Sequence, residues 1–171
     1  MANKATLVTG LFKTRQAADA AVDALIKRGY TSDDISVLMS DATRSKEFGV
    51  ETRTHAADGA GIGGAVGGTI GAVLAAIVAV GTSIAIPGLG LVVAGPIAAA
   101  LAGAGAGAAT GGIIGALIGA GIPEHRAKVY GAGLRSGGIL LGVEARADAD
   151  GDADNLQKLL EDLGAEHVRQ E

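Results

Sequence analysis

The chain has no cysteine. That excludes disulfides, thiolate nucleophiles and Cys-ligated metal sites together. Tryptophan is also absent, and aromatics amount to two Tyr and two Phe in 171 residues. With a net charge of −4 there is neither a basic field nor a supply of stacking rings, so no nucleic-acid partner is expected. Disorder is excluded by the opposite imbalance, since 49 % of the residues are hydrophobic. The start of the chain lacks a charged stretch followed by an apolar run, so no secretory signal is expected.

The most informative absence is of charge. From Gly59 to Pro123 there is no Asp, Glu, Lys, Arg or His, and 19 of the 29 glycines fall in this stretch. So much Gly and Ala argues against a large, tightly filled core. It also divides the chain into 1–58 (first half of an α+β domain with a polar linker), 59–122 (Gly/Ala-rich) and 123–171 (linking helix and second half).

The two charged ends read as regular structure. Leu7, Val8, Leu11 and Phe12 suit a strand within 4–12. Thr14 can cap a helix through Arg28 with Ala18, Ala21, Val22, Leu25 and Ile26 as its apolar stripe and Asp19, Asp23 and Lys27 on the wet side. Gly29 can supply its left-handed end. Ile35, Val37 and Met39 alternate with Ser36, Leu38 and Ser40 as in a strand, and 41–58 reads as polar and irregular. Past the uncharged stretch, Pro123 opens a helix with Ala127, Tyr130 and Leu134 inward. Ile139 to Arg146 is a strand with Ile139, Leu141, Val143 and Ala145 on one face. A helix capped by Asp152 or Asp154 follows, with a stripe of Leu156, Leu159, Leu160 and Leu163, and Glu166 to Gln170 is a short last strand. The order βαβ-βαβ predicts a ferredoxin-like α+β domain, with the uncharged stretch inserted between its second and third strands.

Inside the insertion, Ile86-Pro87-Gly88-Leu89-Gly90 is a turn signal. Pro87, Gly88 and Gly90 therefore predict the turn of a helical hairpin with legs Gly59 to Ala85 and Gly95 to Gly121. Gly59, Gly63, Gly67 and Gly71 recur every four residues, as do Gly95, Gly103, Gly107, Gly111, Gly115 and Gly119, with Ala99 filling the gap. A glycine costs a helix about 1 kcal/mol relative to Ala, and close backbone approach between helices is what offsets such a ladder. The predicted partners are thus further copies of the chain. An uncharged run of this length exceeds the roughly 20 residues that cross a bilayer, so a lipid bilayer is the expected surrounding. The α+β domain and the flanking Arg44, Lys46, Arg53, Arg126, Lys128 and Arg135 would lie on the cytoplasmic side. The alternative is a cytoplasmic, self-assembled scaffold in which the same helices pack protein against protein.

No chemistry-bearing constellation stands out. His55, Asp58, Glu124 and His125 bracket the insertion and could meet as a metal site, but read first as polar flanks. Asp148, Asp150, Asp152 and Asp154 lack the Gly and Glu of a calcium loop. Gly103-Ala-Gly105-Ala-Gly107 lacks the Lys-Ser/Thr of a phosphate loop. No catalytic residue and no cofactor is predicted.

Several stretches do resemble a family. They are Leu7 to Gly29 with Tyr30-Thr31-Ser32-Asp33-Asp34-Ile35-Ser36, the Gly/Ala zipper, the exit Gly121-Ile122-Pro123-Glu124-His125-Arg126-Ala127-Lys128-Val129-Tyr130, and Leu134-Arg135-Ser136-Gly137-Gly138-Ile139-Leu140. In these the chain resembles bacterial general-stress, heat-induced or low-temperature-induced proteins. The resemblance implies a stress-associated, membrane-linked protein without enzymatic chemistry, and it brings no catalytic residues.

Overall fold

The computed structural model describes residues 6–47, 84–86, 91–98, 105–146 and 151–170. In chain order these form β1 (Leu7–Phe12), α1 (Arg15–Lys27), β2 (Ile35–Ser40), α2 (Asp41–Glu47), β3 (Ile84–Ile86) and β4 (Leu91–Ala94). There follow α3 (Gly105–Gly119), α4 (Glu124–Arg135), β5 (Ile139–Glu144), α5 (Asp152–Asp162) and β6 (Glu166–Gln170). The strands make one six-stranded sheet in the order β3-β4-β2-β5-β1-β6, and every neighbouring pair is antiparallel.

Alternation of side chains along the strands gives the sheet two apolar faces. On the first, Val8, Phe12, Ile35, Val37, Met39, Ile139, Leu141 and Val143 pack against Ala18, Ala21, Val22 and Leu25 of α1 and Leu156 and Leu160 of α5. On the second, Leu11, Leu38, Val93 and Leu140 meet Ala127, Tyr130 and Leu134 of α4 and Ile113, Ala116 and Leu117 of α3. Two helical layers thus sandwich the sheet, and most of the few aromatics lie in the core. Phe12, Tyr30 and Tyr130, three of the four, lie within it. The polar Thr9 on the second face is satisfied by Tyr130, whose hydroxyl lies 2.9 Å from Thr9 Oγ1.

Local signals behave as chemistry requires. Thr14 Oγ1 accepts from Ala17 N at the start of α1, and Gly29 takes φ 85 just beyond its end. Four details depart from the sequence reading. Residues 41–47 are helical rather than irregular, because Ser40 Oγ accepts from Thr43 N at 3.1 Å and so caps α2. Asp19 is buried, not on the wet side, since it pairs with Arg15 at 3.3 Å under the end of α2. Ile26 is exposed, at the margin of its stripe. α5 is entered through Gly151 (φ 76) with no side-chain cap, because the carboxylate of Asp152 is held elsewhere.

The largest difference lies at the predicted turn of the helical hairpin. The turn residues 87–90 fall outside the described residues, but they are flanked by strands, not helices. Ile86 pairs with Leu91, Ala85 with Val92 and Ile84 with Val93. β4 then continues onto β2, with Val37 opposite Ala94 and Ser40 opposite Leu91. The β-branched residues Ile84, Ile86, Val92 and Val93 suit a strand, and the edge of β2 offers unpaired backbone groups for it to satisfy.

Candidate functional site

The uncharged stretch is the feature of the sequence that most needs a role, and the described residues on either side of 48–83 belong to the domain. Upstream, the carbonyl of Glu47 at the end of α2 accepts from Arg15 Nη1, and Arg15 Nε reaches Asp19 Oδ2. Glu47, the last described residue before the stretch, is therefore tied to the first turn of α1. Downstream, the chain joins the sheet through β3 and β4. Gly95 follows in a left-handed bend, φ 90, directly over β2. The Ile97 amide donates to Ser36 Oγ at 3.0 Å, and Ile97 covers Gly142, where a Cβ would come within 2.8 Å of its Cδ1.

α3 then lies on the second face of the sheet. Its backbone is broken at Gly112 (φ 59, ψ −147), a conformation essentially confined to glycine. Beyond the break, Ala116, Leu117 and Ile122 are all but inaccessible to solvent. The end of the predicted second leg is thus core of the domain. Among the described residues no helix is long and apolar enough to cross a membrane.

The predicted ladder falls into separate parts. Gly95 lies in a bend rather than a helix. Gly107 and Gly111 precede the break at Gly112, and Gly115 and Gly119 follow it. Gly59, Gly63, Gly67, Gly71 and Gly103, with Pro87, Gly88 and Gly90, lie outside the described residues. Sequence reasoning missed two glycines that permit close packing, Gly131 and Gly133 of α4. A Cβ at Gly131 would stand 3.1 Å from Ile114 Cγ1, and one at Gly133 only 2.2 Å from Leu11 Cδ2. The signal was available, since two glycines inside an otherwise amphipathic helix are costly unless something packs there.

Of the candidate metal residues, Glu124 and His125 occupy the first turn of α4 and are exposed, while His55 and Asp58 lie outside the described residues. Glu124 is engaged by Lys128 at 2.7 Å, which holds its carboxyl below the ordinary carboxylate range. Among the described residues no group of three or more His, Asp or Glu is placed to hold a metal ion. In the acidic run, Asp148 and Asp150 lie outside the described residues. Asp154 accepts from Gln170 Nε2 at 2.7 Å.

Asp152 belongs to a latch between the two βαβ halves. One of its oxygens accepts from the Tyr30 hydroxyl at 2.6 Å and from the Arg146 amide at 2.7 Å, and the Arg146 guanidinium lies 4.2 Å from the centre of the Tyr30 ring. Burial first, then the hydrogen bond and charge of Asp152, push the Tyr30 phenol well above its ordinary value. The folded protein therefore keeps this proton while the unfolded chain releases it near pH ~10. The stabilisation is complete below that pH and is lost as pH rises toward the folded-state value. Tyr30→Phe is expected to cost about 1 kcal/mol at pH ~7 and to flatten the alkaline fall in stability. Urea midpoints of wild type and variant from pH ~7 to ~11 check both.

No family model matches the chain, and neither a curated protein nor a solved structure was found to match it.

Proposed function

We propose that this is a non-enzymatic structural protein that assembles with copies of itself through the uncharged Gly/Ala stretch, carried on a ferredoxin-like α+β domain. The fold reading is supported by the strand order β2-β5-β1-β6 within the wider sheet and by the two βαβ units, β1-α1-β2 and β5-α5-β6, which interleave in it. The resemblance of the sequence to stress-induced bacterial proteins supports a protective, stress-associated role.

The observation that carries the assembly reading is the anchoring, on one domain, of the described residues on either side of 48–83. Glu47 is tied to α1, and Ile84 is paired into the sheet. A chain held this way must cross a bilayer an even number of times, and two crossings need about 40 apolar residues. Between Asp58 and Ile84 only the 25 residues 59–83 remain uncharged and unassigned to the sheet. That is too few to go through and return, but ample for a contact between copies. The four-residue spacing of Gly59, Gly63, Gly67 and Gly71 is what close backbone packing uses.

The expected result is that the native full-length chain sediments as a homo-oligomer. Gly67→Leu, which places a bulky side chain on the ladder, should shift it to smaller species while the circular dichroism of the α+β domain is retained. Sedimentation velocity reads this directly, and an unchanged size distribution for both Gly63→Leu and Gly67→Leu would refute the assembly reading.

A second reading is favoured by the complete absence of charge from Gly59 to Ser83: shallow insertion of this stretch into the cytoplasmic leaflet of a membrane. It predicts that the untagged protein pellets with membranes after gentle lysis and stays there in alkaline carbonate. Release as free particles favours the protein-on-protein assembly.

A further inference from the structure

α4 and α5 lie back to back across a single strand. On β1, a Cβ at Gly10 would stand 3.5 Å from Leu160 Cδ1 of α5, while the next residue, Leu11, fills the space beside Gly133 of α4. The inward sides of both helices are fixed by such contacts. Ala127, Tyr130 and Leu134 of α4 are buried in the second-face core, and Leu156 and Leu160 of α5 in the first. Their outward sides are therefore opposite outer surfaces of one domain.

These two surfaces differ in charge. At its exposed positions α4 has Lys128 and Arg135 against Glu124, and Arg169 of β6, exposed beside the start of α4, adds a third cation. α5 exposes Asp154, Glu161 and Asp162 against Lys158. Bonds within each surface leave the contrast in place. Lys128 holds Glu124 at 2.7 Å, a pair internal to α4. On α5, Asp154 and Glu161 accept from the neutral amides of Gln170 and Gln157. α1, beside α5, closes its own charges, Asp23 with Lys27 at 2.6 Å. Each surface also has an apolar element. Val129, 39 % exposed, lies between Lys128 and Arg135 on α4, and Leu159 and Leu163 of α5 are only partly buried. Apolar groups within a charged rim are the anatomy of a protein–protein contact.

We propose that the outward side of α4 in one copy docks on the outward side of α5 in the next. Charge complementarity between the two surfaces selects a second copy of this chain as the occupant. Because two different surfaces meet, the contact is head-to-tail and adds copies in line, or in a ring where the rotation closes. It rests on the assembly reading in taking another copy as partner, but uses none of the Gly/Ala ladder.

Sedimentation velocity on full-length chains carrying Gly67→Leu, which blocks the ladder, reads this contact. Such chains should associate in low salt and separate at about 1 M salt, where the Debye length is only about 3 Å. Two charge-reversed chains are then compared, Lys128→Glu with Arg135→Glu, and Glu161→Lys with Asp162→Lys. All four positions are exposed, and circular dichroism verifies that the fold is retained. Each reversed chain alone should associate about tenfold more weakly, because like charges now face each other. Mixed in equal amounts, the two should regain association, since the first is acidic on both helices and the second basic on both. A folding defect would not be repaired by mixing. The proposal is overturned if the Gly67→Leu chain is a monomer in low salt, if the reversed chains associate as their parent does, or if mixing restores nothing. The ladder reading fails separately, if neither Gly63→Leu nor Gly67→Leu changes the wild-type size.

Discussion

Gly95→Val is expected to lower the stability of the chain by about 3–5 kcal/mol, combining backbone strain with overpacking. Against a typical total of roughly 5–15 kcal/mol, that is enough to leave a large fraction unfolded. Gly95 has φ 90, and a Cβ there would lie 2.2 Å from the Ile35 carbonyl oxygen and 2.7 Å from Ser36 Cα. Neither is the end of a flexible side chain, so β2 or the bend must move. Movement of β2 would disturb its pairing with both β4 and β5. Gly121 supplies the control, because it has φ 95 with nothing within 4 Å of its would-be Cβ. Gly121→Ala should therefore cost only the left-handed penalty, about 1–2 kcal/mol. The difference between the two sites, read from urea denaturation, isolates the steric term. Equal costs would mean that the bend does not sit on β2 as described.

Leu117→Ala is expected to cost about 2–5 kcal/mol, and it bears directly on how the Gly/Ala stretch is used. Leu117 is fully buried, in a cluster with Leu38, Leu140, Tyr130 and Leu134. Truncating it leaves a cavity where α3 meets α4 and the sheet. If the end of α3 instead sat in lipid or between copies of the chain, the same change would leave the α+β domain's unfolding transition in place and alter only membrane binding or assembly. Ile118, one residue on and 42 % exposed, is the matched control. Ile118→Ala should change the domain's stability by less than about 1 kcal/mol, since little apolar surface is uncovered.

These variants also mark where the sequence was transparent. The alternation Ile35-Ser36-Val37-Leu38-Met39-Ser40 specified a strand and grouped Ile35, Val37 and Met39, which do share one face. The same holds for Ile139, Leu141 and Val143 of β5, and for the stripe of α4, because a period in the chain becomes a face whenever one partner covers it. β6 was placed residue for residue by its position after Gly164. The short helix α2 was hidden because its start depends on one Ser–Thr hydroxyl pair and not on an apolar stripe. β3 and β4 were hidden for a different reason. Ile84 to Ala94 is uniformly apolar, so neither period is visible, and a buried strand cannot be told from a buried helix by pattern alone.

The same limit applies to both candidate contacts. Four-residue glycine spacing is visible in a string of letters, but whether a glycine packs a helix, bends a chain or breaks one is not: Gly95, Gly112 and Gly133 do three different things. The opposition of α4 and α5 had no sequence signature, since both read as ordinary amphipathic helices. Only their packing on the two sides of β1 sets a basic and an acidic surface back to back.

What the sequence determined by itself was the set of elements at the two charged ends, α2 apart, and the existence of a long stretch that shuns charge, because hydrophobic period and charge distribution are local properties. The tertiary structure decided where that stretch rejoins the domain. The edge of β2 had backbone groups to satisfy, and the second face of the sheet had Leu38 and Leu140 to cover. The residues able to do both, Leu91 to Ala94 and Ile113 to Ile122, came from the downstream half of the uncharged run.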